Sequence, residues 1–113
     1  DDCALTVLAT VVSRPTETRA ILDTGSKALT SDLLGMDGFG LVLEYPDAKL
    51  VSLSEEHGTL DLTDSLAKPQ VGERVRILPN HCCPVTNLFD EVVLIHPGGE
   101  TEIVPVDARG RLR

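Results

Sequence analysis

Short apolar segments recur along this 113-residue chain, each ended within a few residues by a turn, and that rhythm limits the fold more than any other feature. Ala4 to Ser13 is rich in Val, Leu and Thr, and the apolar character resumes over Thr18 to Leu22 after Arg14-Pro15-Thr16-Glu17, which predicts a hairpin. Gly40 to Tyr45, Lys49 to Leu53 and Thr59 to Leu62 are further short segments, separated by Pro46-Asp47 and by Glu55-Glu56-His57-Gly58. Arg74-Val75-Arg76-Ile77-Leu78 alternates charged and apolar residues as a half-buried strand does. Glu91 to Ile95 reads as a buried type of run, and Glu102 to Val106 follows Pro97-Gly98-Gly99-Glu100. Only Ser26 to Leu34 offers helical potential, with Ser or Asp available as caps. The expectation is an all-β, barrel-like or sandwich domain over 1–113, of about seven or eight short strands with one short helix.

Aromatic residues make up 3% of the chain, so Val, Leu, Ile and Ala must build the core. A net charge of −8 repels a phosphate backbone, which argues against nucleic-acid binding. No apolar run is long enough to span a bilayer, and Asp1-Asp2-Cys3 lacks the basic region that opens a signal peptide; the reading is a soluble, cytoplasmic protein with no membrane partner. Cys3, Cys82 and Cys83 cannot all pair, and the adjacent two bridge each other only with severe strain, so reduced thiols or metal ligands are expected. The chain opens without Met and has only Met36, which suggests that it began as part of something longer.

Pro79-Asn80-His81-Cys82-Cys83-Pro84 is the densest chemical feature. On a strand, His81 and Cys83 would point to one face and Cys82 to the other, so imidazole and thiolate could address one metal, zinc being the natural choice. Two protein ligands leave positions open for water or substrate, which is the pattern of a catalytic rather than a structural site. Three semi-polar residues after a proline turn are an equal account of the same run, and spacing does not separate the two.

Ala20-Ile21-Leu22-Asp23-Thr24-Gly25-Ser26 looks like the active-site turn of an aspartic protease, which in a chain this short would have to work as a homodimer of the retroviral type. The apolar pair followed by Gly that such enzymes need later in the chain is missing: Leu94-Ile95-His96-Pro97-Gly98 has the wrong spacing, and Leu33-Leu34-Gly35 lies too close behind Asp23. An ordinary polar turn is the simpler reading. Glu56 and His57 could serve a pocket as acid or base, or could be a solvated hairpin tip. Lys27, Lys49 and Lys68 have no recognisable Schiff-base setting, and Arg109, Arg111 and Arg113 read as a polar tail.

Three ordered blocks together are more specific than any one of them. Leu22-Asp23-Thr24-Gly25-Ser26-Lys27-Ala28-Leu29-Thr30-Ser31-Asp32, Leu53-Ser54-Glu55-Glu56-His57-Gly58 and Leu78-Pro79-Asn80-His81-Cys82-Cys83-Pro84-Val85-Thr86-Asn87-Leu88 resemble the D-serine dehydratase and D-threonine aldolase family, within which this chain resembles the C-terminal domain to its natural end. The resemblance implies an alanine racemase-like enzyme whose N-terminal α/β barrel, absent here, holds pyridoxal phosphate on a lysine, with this chain as the C-terminal β domain. It further implies that His81 and Cys83 bind zinc or another divalent metal, that the substrate is a D-3-hydroxy amino acid whose hydroxyl coordinates that metal, and that the full-length protein is a homodimer. Aldolases of the family commonly carry H-x-D, so Cys83 tilts the reading towards a dehydratase. Without the cofactor lysine the isolated domain should be inactive. A non-catalytic interaction domain is the remaining alternative.

Overall fold

The computed structural model describes residues 3–111; Asp1 and Asp2 of the opening Asp1-Asp2-Cys3 and Arg113 of the tail, both read above, lie outside them. Among the described residues eight strands and two short helices follow one another: β1 (Val7–Thr16), β2 (Arg19–Leu22), α1 (Ser26–Leu29), β3 (Gly40–Val42), β4 (Lys49–Leu53), β5 (Gly58–Asp61), β6 (Arg74–Pro79), α2 (Cys82–Leu88), β7 (Glu91–Ile95) and β8 (Thr101–Pro105). The first six strands close into an antiparallel barrel in the order β1-β2-β5-β4-β3-β6, and β7 and β8 form a separate hairpin. The expected all-β barrel is borne out, with one helix more than foreseen.

Alternation decides which side chains fill the barrel. In β6, Val75 and Ile77 are buried while Arg74 and Arg76 face out; in β1, Val7, Ala9 and Val11 are buried while Leu8 and Val12 are exposed. Ala20, Leu22, Val42, Leu50, Leu60 and Leu62 complete an aliphatic interior, as the scarcity of aromatics requires. Slips in the β1–β2 register between Val11 and Ser13, and between Ser13 and Thr16, bend the longest strand so that it pairs with β2 on one side and β6 on the other.

Two expectations fail here. The helix foreseen over Ser26 to Leu34 stops at Leu29, because Thr30 takes a positive φ of 63° and the chain turns away. Glu91 to Ile95 is no buried run: Val93, Leu94 and Ile95 are exposed and only Val92 is half-buried, since the hairpin packs one apolar side chain inwards and leaves the others in water.

Helix α1 has no side-chain N-cap. Its first free amides are satisfied by the β4–β5 turn, where Ser26 N–H donates to the Ser54 carbonyl at 2.9 Å and Lys27 N–H to the Glu55 carbonyl at 3.1 Å. This approach needs Gly25, since a Cβ there would stand 2.4 Å from the Ser54 oxygen and 2.5 Å from the Glu55 carbonyl. Gly25→Ala should therefore cost about 1–3 kcal/mol through overpacking against backbone that cannot yield. Denaturant titration checks this, and an unchanged midpoint would show that the turn gives way freely.

A hydrogen bond from the half-buried Tyr45 hydroxyl to Glu73, then desolvation and the charges of Glu73 and Glu44, push the phenol up to about 12. The unfolded chain gives up this proton first, at about 10, so the associated stability is complete below that pH and disappears as the pH rises to about 12. Tyr45→Phe should flatten the fall in unfolding free energy over that window; equal slopes for variant and wild type would refute the coupling.

Candidate functional site

Antiparallel pairing gathers the chemical residues at one rim of the barrel. Leu22 at the end of β2 and Leu53 at the end of β4 both pair with Gly58 at the start of β5, and Pro79 at the end of β6 pairs with Gly40 at the start of β3. The segments holding Asp23, Glu56, His57, His81 and Cys83 therefore leave the barrel on the same side, and the β1–β2 turn closes the other.

The metal strand expected at His81 to Cys83 does not exist. Strand β6 ends at Pro79, His81 is the extended N-cap residue of α2 with φ −138° and ψ 103°, and Cys82 and Cys83 form the helix's first turn. Pro84 explains the switch, because a residue without an N–H is tolerated in a first turn, where no intrahelical partner is available. Val85, 1% exposed, anchors the helix in the core. The argument that alternation aims His81 and Cys83 together thus fails, although His81, outside the helix, keeps an extended, strand-like backbone. All three cysteines are free and exposed.

His81 is held by a residue whose part spacing did not suggest. Its Nδ1 lies 2.8 Å from Asp32 Oδ2, while Asp32 Oδ1 accepts the Leu34 amide at 2.9 Å. The His81 hydrogen bond, and next the Leu34 amide, hold the Asp32 carboxyl below the usual carboxylate range. Beside it, the Asn80 amide donates to the Leu33 carbonyl at 3.1 Å and the Gly38 carbonyl at 2.9 Å. Two neighbouring side chains thus tie the loop between α1 and β3 to the turn that carries His81. Asp32 stood only as a cap or block residue and Asn80 only as part of its run; a loop rich in Gly and Asp facing Asn-His was the available signal.

Among the described residues no three His, Cys, Asp or Glu side chains come together as a metal cage. The donor set is nonetheless suited to an open site: an imidazole whose Nε2 is not engaged by Asp32, and an exposed thiol two residues on.

The other candidates have structural partners. Glu56 binds Lys27 of α1, an exposed pair that holds the ammonium above and the carboxyl below their ordinary ranges, and Glu55 lies 3.6 Å from the same Lys27 Nζ. His57 is exposed and closes the turn through its backbone, with its N–H on Ser54 Oγ. Asp23 Oδ1 accepts the Thr10 amide at 2.6 Å, which accounts for Asp-Thr-Gly as a tie between β1 and β2. Arg109 is no loose tail, since it pairs with Asp90 and reaches the Leu88 carbonyl. An apolar hollow of about 550 Å³, lined by Leu5, Met36, Leu41, Leu78 and Cys82 among others, opens beside α2; neither Glu56 nor His57 lines it.

Comparison with known proteins agrees with this architecture. An uncharacterised protein of Mycobacterium tuberculosis is 43% identical over 97% of this chain and 86% of its own length. The crystal structure of D-threonine aldolase from Filomicrobium marinum matches with a TM-score of 0.81 and 33% identity, covering 96% of this chain and 29% of that one. The D-threo-3-hydroxyaspartate dehydratase of Delftia sp. HT23 also matches; its cysteine-to-alanine variant, solved in a metal-free form, gives a TM-score of 0.74 at 28% identity over 88% of this chain and 31% of its own. That cysteine and the histidine replaced by alanine in a second variant are two residues apart, the spacing of His81 and Cys83. The chain thus spans nearly all of one relative and under a third of the two enzymes. Residues 4–95 match the family model described as "Putative serine dehydratase domain", and the chain belongs to that family.

Proposed function

We propose that this chain is the metal-binding C-terminal domain of a pyridoxal-phosphate-dependent enzyme acting on D-3-hydroxy amino acids, a dehydratase or an aldolase, with His81 and Cys83 as its metal ligands. The observation that carries the reading is the rim itself, where an imidazole braced at Nδ1 and a free thiol stand two residues apart at the start of α2, just past a barrel strand. The metal-free cysteine variant of the Delftia relative supports the same pair. When bound, the metal supplies Lewis acidity towards a substrate hydroxyl and pyridoxal phosphate supplies stabilisation of a carbanion at Cα.

This chain's residues hold and orient. Neutral His81 offers a nitrogen lone pair and Cys83, once deprotonated, a soft anionic sulfur; both sit on a turn fixed by Val85 in the core. Coordination positions left open by two protein ligands admit the substrate. The cofactor lysine belongs to the N-terminal barrel domain that the larger enzymes carry, and a homodimeric, cytoplasmic full-length protein is part of the same reading. A second reading, a short stand-alone domain that binds metal or a partner without chemistry of its own, is favoured by the mycobacterial relative, of which this chain spans 86%.

Zinc titration of the wild type, His81→Ala and Cys83→Ala, with circular dichroism to confirm the fold, tests the ligands. Each substitution should weaken binding by more than the roughly 10–100-fold that loss of an outer hydrogen-bond partner costs; equal affinities would sink the assignment. Pyridoxal phosphate added to the chain alone should give no turnover of D-serine or D-threonine. Turnover by this chain without a barrel domain would overturn the division of labour.

A further inference from the structure

Asp32 and His81 lie 49 positions apart, yet share the one side-chain hydrogen bond that bears on how the imidazole presents itself. An ionised carboxylate can only accept, so the contact at 2.8 Å requires the proton of a neutral His81 to sit on Nδ1. The lone pair is then on Nε2. Unrestrained imidazole favours the opposite tautomer in water, with the proton on Nε2, so the arrangement depends on Asp32 staying where it is.

The loop is built to keep it there. Asp32 divides its two oxygens between the Leu34 amide and His81, and its own N–H donates to Thr30 Oγ1 at 3.1 Å. The backbone on either side is committed, with positive φ at Thr30, Leu34, Gly35 and Gly38. Asn80 then fastens the far side of the loop through the Leu33 and Gly38 carbonyls. A carboxylate fixed in this way resembles the outer partner that orients most metal-bound histidines, raising their basicity and selecting the ligating nitrogen.

We propose that Asp32 is a positioning residue that locks His81 in the Nδ1–H tautomer, so that Nε2 is the nitrogen that takes the metal. The proposal rests on His81 being a metal ligand and adds which atom binds and what aims it. Asp32 itself touches neither metal nor substrate.

The test uses long-range proton–nitrogen correlation spectra of the metal-free full chain at neutral pH, which read the His81 tautomer directly, together with titration by Co²⁺ alone, followed through the thiolate-to-metal absorption band. Wild type should show a protonated Nδ1 and an unprotonated Nε2, with Nε2 the resonance perturbed by the metal. Asp32→Ala should move the ring towards the Nε2–H form and weaken Co²⁺ binding by about 10–100-fold. Asp32→Asn, whose amide oxygen can accept the same bond, should keep the tautomer and recover part of the affinity, which rescue of a merely structural contact would not link. A wild-type ring protonated on Nε2, or a tautomer indifferent to Asp32→Ala, overturns the proposal. If the tautomer follows Asp32 but wild type takes up no Co²⁺ at any concentration, the metal reading itself has failed and the ligand-atom assignment falls with it.

Discussion

Closure of the barrel through the β1–β6 ladder is the constraint on which the remaining structure depends. Val7 to Thr10 pair with Arg74 to Ile77, so strands separated by most of the chain become neighbours and the sheet has no free edge among its six members. Unpaired backbone on a sheet edge is both costly to bury and prone to wrong pairing, and closure removes the problem at once. It also dictates direction: once β6 is antiparallel to both β1 and β3, its last residues must emerge beside the start of β3, under the loop that follows α1. His81 reaches Asp32 because of that geometry.

The rim is held by a different kind of force from the barrel. Inside, burial of aliphatic side chains provides cohesion without directional preference. Above the rim the loops are joined by directional bonds to backbone groups: Ser54 and Glu55 carbonyls on α1, Leu33 and Gly38 carbonyls on Asn80, the Thr10 amide on Asp23. Such bonds specify a position to a few tenths of an ångström while adding modest net stability. A site that must present one nitrogen and one sulfur gains more from that precision than from additional burial.

Much of the barrel was legible because alternation is a local signal. Arg74 to Leu78 states its inward and outward faces residue by residue, and the apolar segments of the sequence coincide with all eight strands to within a few positions. The failures share one cause, which is that a short segment's environment is decided by what lies across from it. Glu91 to Ile95 has the composition of a core strand but only one neighbouring strand and little to pack upon. His81-Cys82-Cys83 continues from a strand, yet the proline at position 84 and the buried Val85 turn it into a helix. Asp32 was visible as the last residue of the first family-like block, but its partner lies 49 positions away, and no local pattern reports such a pairing.

The setting of the half-buried Tyr45 carries an optical consequence. It is the only tyrosine in a chain that has no tryptophan, and its hydroxyl is bound to a carboxylate within the fold. Near-ultraviolet absorption and intrinsic emission therefore originate almost entirely from one ring at one place, between the end of β3 and the turn before β6. A phenol that donates its hydrogen bond to a carboxylate emits weakly, so release of the Tyr45 hydroxyl from Glu73 on unfolding is expected to raise the emission. The molecule carries its own single-site fluorophore, and the population of intact barrels can be counted without any label.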